Sequence, residues 1–148
     1  MIAASEIKNP EVAEFAQRAS SFLLSHTWCR SIVSVHLAWA VAGVLAVFQV
    51  KLVPTRKGVD DTLWVVVGDV PPAYLVCDEA PTWREALEGY VDEMRRWVSA
   101  ARKGESLSDV IPVNVDPTLA WANELDSRLS FINEHILAPD AGEIESDA

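Results

Sequence analysis

The beginning of the chain has the hydrophobic spacing of an amphipathic helix. Apolar residues recur there at intervals of three and four, at Val12, Phe15, Ala16, Ala19, Phe22 and Leu23. Asn9 can cap the first turn, and Pro10 suits the first helical position, where no hydrogen-bond donor is needed. The spacing therefore predicts a helix from Asn9 and Pro10 to about Ser25.

From about Ser31 the pattern changes to the alternation that is typical of β-strands. It predicts a first strand with Val33, Val35, Leu37 and Trp39 on one face, and with Ser34 and His36 on the other. A turn near Ala42-Gly43 leads to a second strand, which Pro54 ends. Residues 63–67 are apolar on both faces and predict an internal third strand, and residues 74–77 predict a short fourth strand.

The stretch from Ser31 to Val50 contains no charged side chain and, at 20 residues, is long enough to span a bilayer as a helix. Polar interruptions, frequent β-branched residues and Gly43 at the expected turn favour two paired strands instead. A membrane tether through residues 31–50 is kept as an alternative hypothesis.

Two helices are predicted after the strands. Thr82-x-x-Glu85 has the form of a capping box, a long helical periodicity follows it, and Gly104 is a suitable terminator. Asp116-Pro117 is the expected start of the last helix, which Pro139 should end. Its predicted inward residues are Ala122, Leu125, Leu129, Ile132 and Ile136.

This order of elements predicts an α+β fold. We expect an N-terminal helix, an antiparallel meander of three to four strands, and two C-terminal helices packed on one face of the sheet. The length of 148 residues fits a single domain. Its ordered core should cover about residues 9–138, and the acidic tail, 139–148, should be frayed.

Charge limits the classes of partner. The formal net charge is -10 and the pI is about 4.6, so nucleic acid and anionic membranes are disfavoured by long-range repulsion. The expected partner is a protein, either a basic one or a second copy of this chain. The first residues show no basic region followed by an apolar core, so no signal peptide is expected and the predicted location is cytoplasmic.

Candidate chemistry is sparse. His26, His36 and His135 lack metal-ligand spacing within any one element, and His26 is expected to cap the carbonyl end of the first helix. Cys29 and Cys77 lie in no zinc or nucleophile motif and are expected to be reduced thiols. No cofactor and no metal are therefore predicted, and an enzymatic role is disfavoured.

The block from Leu63 to Asp78 is the most informative part of the chain. A corner is predicted from Gly68 to Tyr74, where Pro71 and Pro72 beside Asp69 make the segment stiff and poor in backbone donors. An exposed aromatic side chain often marks an interface, because it buries a large area at low entropic cost. The predicted binding surface consists of Asp69, Pro71, Pro72, Tyr74 and Trp121.

Several of these motifs resemble a family of small bacterial proteins that has no established activity. The resemblance rests on Trp28-Cys29, the apolar hairpin that follows, the block Leu-Trp-Val-Val-Val-Gly-Asp-Val-Pro-Pro-Ala-Tyr at 63–74, and Met94-x-x-Trp97-Val98. It covers about residues 26–138. It implies a bacterial, soluble, single-domain protein and assigns no catalytic residue.

The leading hypothesis is a non-enzymatic acidic domain for protein interaction, of the adaptor, regulatory or immunity-like kind. The main alternative is an enzyme that acts on a small molecule or depends on a metal, with a pocket between sheet and helices. Its polar groups would be His36, Asp69, Tyr74 and Asp78.

Overall fold

The computed structural model describes residues 1–138, which fall into two compact units, Met1–Ala86 and the part that begins at Leu87. The strands are β1 (Ile2–Ala3), β2 (Cys29–Val41), β3 (Leu45–Pro54), β4 (Thr62–Gly68) and β5 (Val70–Val76). The helices are α1 (Pro10–Leu24), α2 (Trp83–Lys103) and α3 (Leu119–Ile132), with a 3-10 turn at Ala4–Glu6 and a π turn at Asn133–Leu137. The predicted α+β class is confirmed, whereas the single domain stays a prediction.

The five strands form one antiparallel sheet in the order β1-β2-β3-β4-β5. Short connections between consecutive strands favour such a meander. Strands β2, β3 and β4 lie where they were predicted, whereas the predicted fourth strand, 74–77, is wrong at its start, since β5 begins four residues earlier and includes Pro71 and Pro72. The additional strand β1 has two residues, which pair with Leu37 and His36. At the other edge, β5 pairs with β4 and with no other strand of residues 1–138.

Helix α1 covers one face of this sheet. Asn9 Oδ1 accepts hydrogen bonds from the amides of Glu11 (3.0 Å) and Val12 (3.4 Å), which confirms the predicted cap. The helix packs against alternate residues of the inner strands, and its apolar stripe is buried with them. The strand residues buried in this cluster are Cys29, Leu37, Ala40, Ala46, Phe48, Val50, Leu52, Leu63, Val65 and Val67.

The prediction that Val33, Val35, Leu37 and Trp39 share one face of β2 is wrong. The pairing of β2 with β3 shifts by one residue between Ile32 and Ser34, and again between Leu37 and Trp39. Each β-bulge inserts an unpaired residue and reverses the alternation. Val33 is therefore 56% exposed, and the α1 face receives Leu37 and Ala40 instead of Trp39.

Tryptophans on the opposite face of the sheet hold the segment that leads into α2. The rings of Trp39 and Trp83 stack with centroids 4.9 Å apart and planes 4° from parallel. Buried Trp64 donates from Nε1 to the carbonyl of Ala80 at 2.6 Å. Both contacts fix the chain immediately before and at the first turn of α2.

Helices α2 and α3 begin at side-chain caps. The predicted capping box is confirmed in part, since the Glu85 amide donates to Thr82 Oγ1 at 3.2 Å. The expected start of α3 at Asp116-Pro117 is wrong by two residues, because Thr118 Oγ1 accepts from the amide of Trp121 and so defines the first turn. All five predicted inward residues of the last helical segment are buried.

Residues 31–50 form paired strands and not a single helix. Those residues lie in β2, its turn and β3, as the paired-strand interpretation predicted. Among residues 1–138, no helix combines the length and the apolar character that crossing a membrane requires. The predicted stop at Pro139 and the predicted frayed tail, 139–148, lie outside the described residues.

Candidate functional site

The corner at Gly68 is set by a close approach of two backbone segments. Gly68 has φ +149°, and a Cβ atom there would lie 2.3 Å from the carbonyl oxygen of Val44 and 2.7 Å from the Cα of Leu45. The next amide, that of Asp69, donates to the same Val44 carbonyl at 2.8 Å. Glycine is therefore required at this position, and the corner leaves the Asp69 side chain exposed.

Asp69 belongs to an acidic depression beside the N-terminal half of α1. The depression has a volume of about 550 Å³ and is lined by Glu11, Glu14, Phe15, Arg18, Gly43, Gly68 and Asp69. Arg18 Nη2 donates to the Gly68 carbonyl at 2.9 Å, and the Arg18 guanidinium carbon lies 5.4 Å from the centroid of the Phe15 ring. Three carboxylates thus surround one guanidinium that is already engaged, which leaves the depression with net negative charge.

Four aromatic side chains meet at the other end of α1. The Tyr74 ring lies 5.1 Å from Trp28, 5.4 Å from His26 and 6.3 Å from Phe22. His26 also contacts Phe22 at 4.9 Å and Trp28 at 4.8 Å. These separations and the edge-on orientation of several pairs are those of favourable aromatic packing. Tyr74 is nevertheless 38% exposed, so the cluster presents an ordered aromatic surface.

The predicted capping role of His26 is confirmed. Its Nδ1 lies 2.8 Å from the carbonyl oxygen of Phe22 and 3.3 Å from that of Leu23, close to the end of α1. A carbonyl oxygen can only accept, so Nδ1 carries the proton in this arrangement. Nε2 is left without a partner within the described chain and can accept a hydrogen bond in the neutral ring.

The acidic depression and the aromatic cluster lie along the same helix and strand. Eleven residues of helix separate Glu11 from Phe22, about 16 Å, and five residues of extended chain separate Asp69 from Tyr74, again about 16 Å. Arg18, which lines the depression, donates to Gly68 and so joins the helix to the corner that precedes β5. We call this surface the α1–β5 strip, and its members are Glu11, Glu14, Arg18, Phe22, His26, Trp28, Asp69 and Tyr74.

The structure brings together part of the binding surface predicted from the sequence. Asp69 and Tyr74 occupy the two ends of the α1–β5 strip. Pro71 and Pro72 are half-buried in edge strand β5, where a register shift between β4 and β5 accommodates them. Trp121 is 46% exposed on α3, which belongs to the second unit.

The four residues of the alternative enzyme site do not converge. Asp69 and Asp78 flank β5, a strand of seven residues that is about 20 Å long. His36 is on β2, three strands away in the sheet order, or about 14 Å. Over residues 1–138, no group of three His, Cys, Asp or Glu side chains is arranged to hold a metal ion.

Neither cysteine has the surroundings of a nucleophile. Burial raises the pKa of the Cys29 thiol above its ordinary value of 9.0. Burial likewise raises the pKa of Cys77, and Asp78 and Asp60 add to that shift, whereas the contact of Gln49 with the sulfur opposes it. Both thiols therefore stay protonated near neutral pH, where the reactive thiolate would be needed.

Phe22, Trp28 and the acids of α1 were not predicted from the sequence to belong to a site. A local signal was present, because Phe22 and His26 are one helical turn apart and Trp28 follows two residues later. Their contact with Tyr74 joins residues more than 40 positions apart and depends on the order of the strands.

Comparisons of the chain with protein-family models, curated proteins and solved structures gave no match, so the resemblance to a bacterial family stays a prediction.

Proposed function

We propose that this protein is a non-enzymatic interaction domain that binds a basic and partly apolar segment of a protein partner along the α1–β5 strip. The observation that carries the proposal is that an acidic depression and an aromatic cluster lie at opposite ends of the same strip. Carboxylates surround a depression at one end, and four aromatic rings pack together at the other.

The aromatic end would supply most of the affinity. Tyr74 is held by three neighbouring rings yet remains 38% exposed, so little side-chain entropy is left to lose when a partner covers it. Large aromatic residues in such settings dominate many binding energies. His26 Nε2 adds a hydrogen-bond acceptor beside the rings.

The acidic end would supply partner choice. Glu11, Glu14 and Asp69 attract a Lys or Arg side chain, and the net charge of -10 raises the rate of encounter with a basic protein. The spacing of about 16 Å corresponds to roughly five residues of an extended peptide. The expected ligand therefore carries a cation and an aromatic or large aliphatic residue about five positions apart.

A selection from a displayed library of random peptides tests the proposal. Peptides enriched by the protein should carry Lys or Arg about five positions from an aromatic or aliphatic residue. Asp69→Asn should weaken the selected peptides about two- to fivefold, mainly through slower association at low salt. Asp109→Asn makes the same charge change at an exposed loop position of the second unit and should have little effect.

Two results would contradict this function. One is enrichment of acidic peptides, or of none. The other is an equal loss of affinity in Asp69→Asn and Asp109→Asn, which would make the effect one of overall charge.

We propose Trp121 as a second contact, to be tested separately by Trp121→Phe and Trp121→Ala in the same assay.

A further inference from the structure

A cluster of positive side chains in the second unit takes no part in the α1–β5 strip. The cluster surrounds an open cavity of about 260 Å³ lined by Arg95, Val98, Ser99, Arg102, Lys103 and Asp126. Three of the 12 Lys and Arg residues of the chain thus meet at one place, although the net charge is -10. The local charge is opposite in sign to that of the whole molecule.

The spacing along α2 places these donors on one side of the helix. Ser99, Arg102 and Lys103 follow Arg95 by four, seven and eight residues, which corresponds to one and two helical turns. Cations in the last turn also favour the negative end of the helix dipole, which accounts for Arg102 and Lys103. It does not account for Arg95, which lies two turns earlier.

Helix α3 holds the two guanidinium groups in place. The Asp126 carboxylate is shared between them, with Oδ1 3.4 Å from Arg95 Nη1 and Oδ2 3.2 Å from Arg102 Nη2. Asn123 Oδ1 accepts from Arg102 Nε at 3.2 Å and from Nη2 at 2.8 Å. One carboxylate balances only one of three cations, so the cavity keeps an excess of positive charge.

Donors remain available after these contacts. The Nη1 group of Arg102 makes no hydrogen bond within the described residues, and Lys103 forms no ion pair in the same part of the chain. The Ser99 hydroxyl adds a neutral donor between the charged groups. Asp92 lies one helical turn before Arg95 and reduces the positive potential at that end of the cavity. It lies about 15 Å along the helix from Arg102, beyond the screening length of about 8 Å in physiological salt, so the Arg102 and Lys103 end keeps its positive charge.

We propose that this cavity binds a phosphate-type oxyanion, with Arg95, Ser99, Arg102 and Lys103 as its donors. Donors from four side chains suit a tetrahedral anion, which has acceptor oxygens in more directions than a carboxylate. Arg102 is oriented in advance by Asn123 and Asp126, so less freedom is lost on binding.

Titration of the full chain with inorganic phosphate tests the proposal by ¹⁵N NMR, with sodium chloride holding ionic strength constant. Saturable shifts are expected at the Ser99 amide and at the side-chain signals of Arg95 and Arg102. O-phosphoserine and serine form the second arm. Tighter binding of phosphoserine than of phosphate assigns the site to phosphorylated side chains, and the reverse order assigns it to the free ion, while serine should not bind.

A charge-matched pair of variants locates the effect. Lys103→Gln removes an exposed cation that forms no ion pair with residues 1–138, and it should weaken phosphate binding about fivefold. Loss of its interaction with the helix dipole should lower the unfolding temperature only slightly. Lys57→Gln makes the same change in the polar loop between β3 and β4 and should bind as the unaltered protein does. Absence of saturable shifts at millimolar phosphate, or equal weakening by both variants, would overturn the proposal. Neither result bears on peptide binding at the α1–β5 strip.

Discussion

Replacing Gly68 with alanine tests the reason for the corner that exposes Asp69. The added Cβ would lie 2.3 Å from the Val44 carbonyl oxygen, so the backbone of the corner must move away from β3. That movement weakens two hydrogen bonds, from the Asp69 amide to Val44 and from Arg18 to the Gly68 carbonyl.

The expected loss in the free energy of unfolding can be compared with that of a control glycine. Gly58 has φ +88° and no atom within 4 Å of its Cβ position, so Gly58→Ala should cost only the backbone strain, about 1 kcal/mol. Gly68→Ala adds the loss of two hydrogen bonds worth about 1 kcal/mol each, and its total should be about 3 kcal/mol. That is a large part of a typical stability of 5–15 kcal/mol.

Urea unfolding followed by far-ultraviolet circular dichroism measures both variants. The midpoint of Gly68→Ala should fall clearly below that of Gly58→Ala, which in turn should lie slightly below that of the unaltered chain. Equal midpoints for the two variants would refute the argument, because they would mean that the close approach to Val44 adds nothing to the cost of a side chain.

Three further predictions concern single side chains. Trp64→Phe removes the donor to a buried backbone carbonyl and should lower the free energy of unfolding by about 1–3 kcal/mol in urea, whereas Trp121→Phe on the surface should leave it unchanged. Asn9→Ala should cost about 1 kcal/mol in the same assay and Asn9→Ser much less, because serine can still cap α1; equal losses would argue against the cap. Burial raises the pKa of Cys29 above 9.0, so the unfolded chain releases the thiol proton first and stability should fall as pH rises past 9. Cys29→Ala should reduce that fall in denaturation measured from pH 8 to pH 10, and an unchanged slope would contradict the assignment.

Local signals in the sequence predicted most of the elements. Asn9 before α1, Thr82 before α2 and Gly43 at the hairpin turn each act through neighbouring backbone groups, so the short sequence around them is sufficient. The incorrect prediction of which β2 residues share a face had a different origin. A bulge depends on which partner residue each position meets, and neither Val33 nor Trp39 carries that information in its own neighbourhood.

The candidate site was predictable to a smaller extent. The block that contains Asp69 and Tyr74 was predicted from the sequence to form the binding surface, but its corner lies at Gly68 and Asp69 alone, because Pro71 and Pro72 belong to β5. The neighbours of Tyr74 could not be inferred, because Phe22 and Trp28 reach it only after α1 crosses the sheet beside β5. The basic cavity of α2 was also missed, since the positions that complete it, Asn123 and Asp126, belong to another helix.

The central claim is that a partner binds along the α1–β5 strip with Tyr74 as its anchor. Tyr74 and Val53 are both 38% exposed on strands of the same sheet, so Val53→Ala is a matched control for Tyr74→Ala. The measurement is calorimetric titration of each variant with a peptide selected on the unaltered protein. The account predicts at least tenfold weaker binding for Tyr74→Ala, with affinity retained in Val53→Ala. Undiminished binding by a folded Tyr74→Ala variant would contradict it.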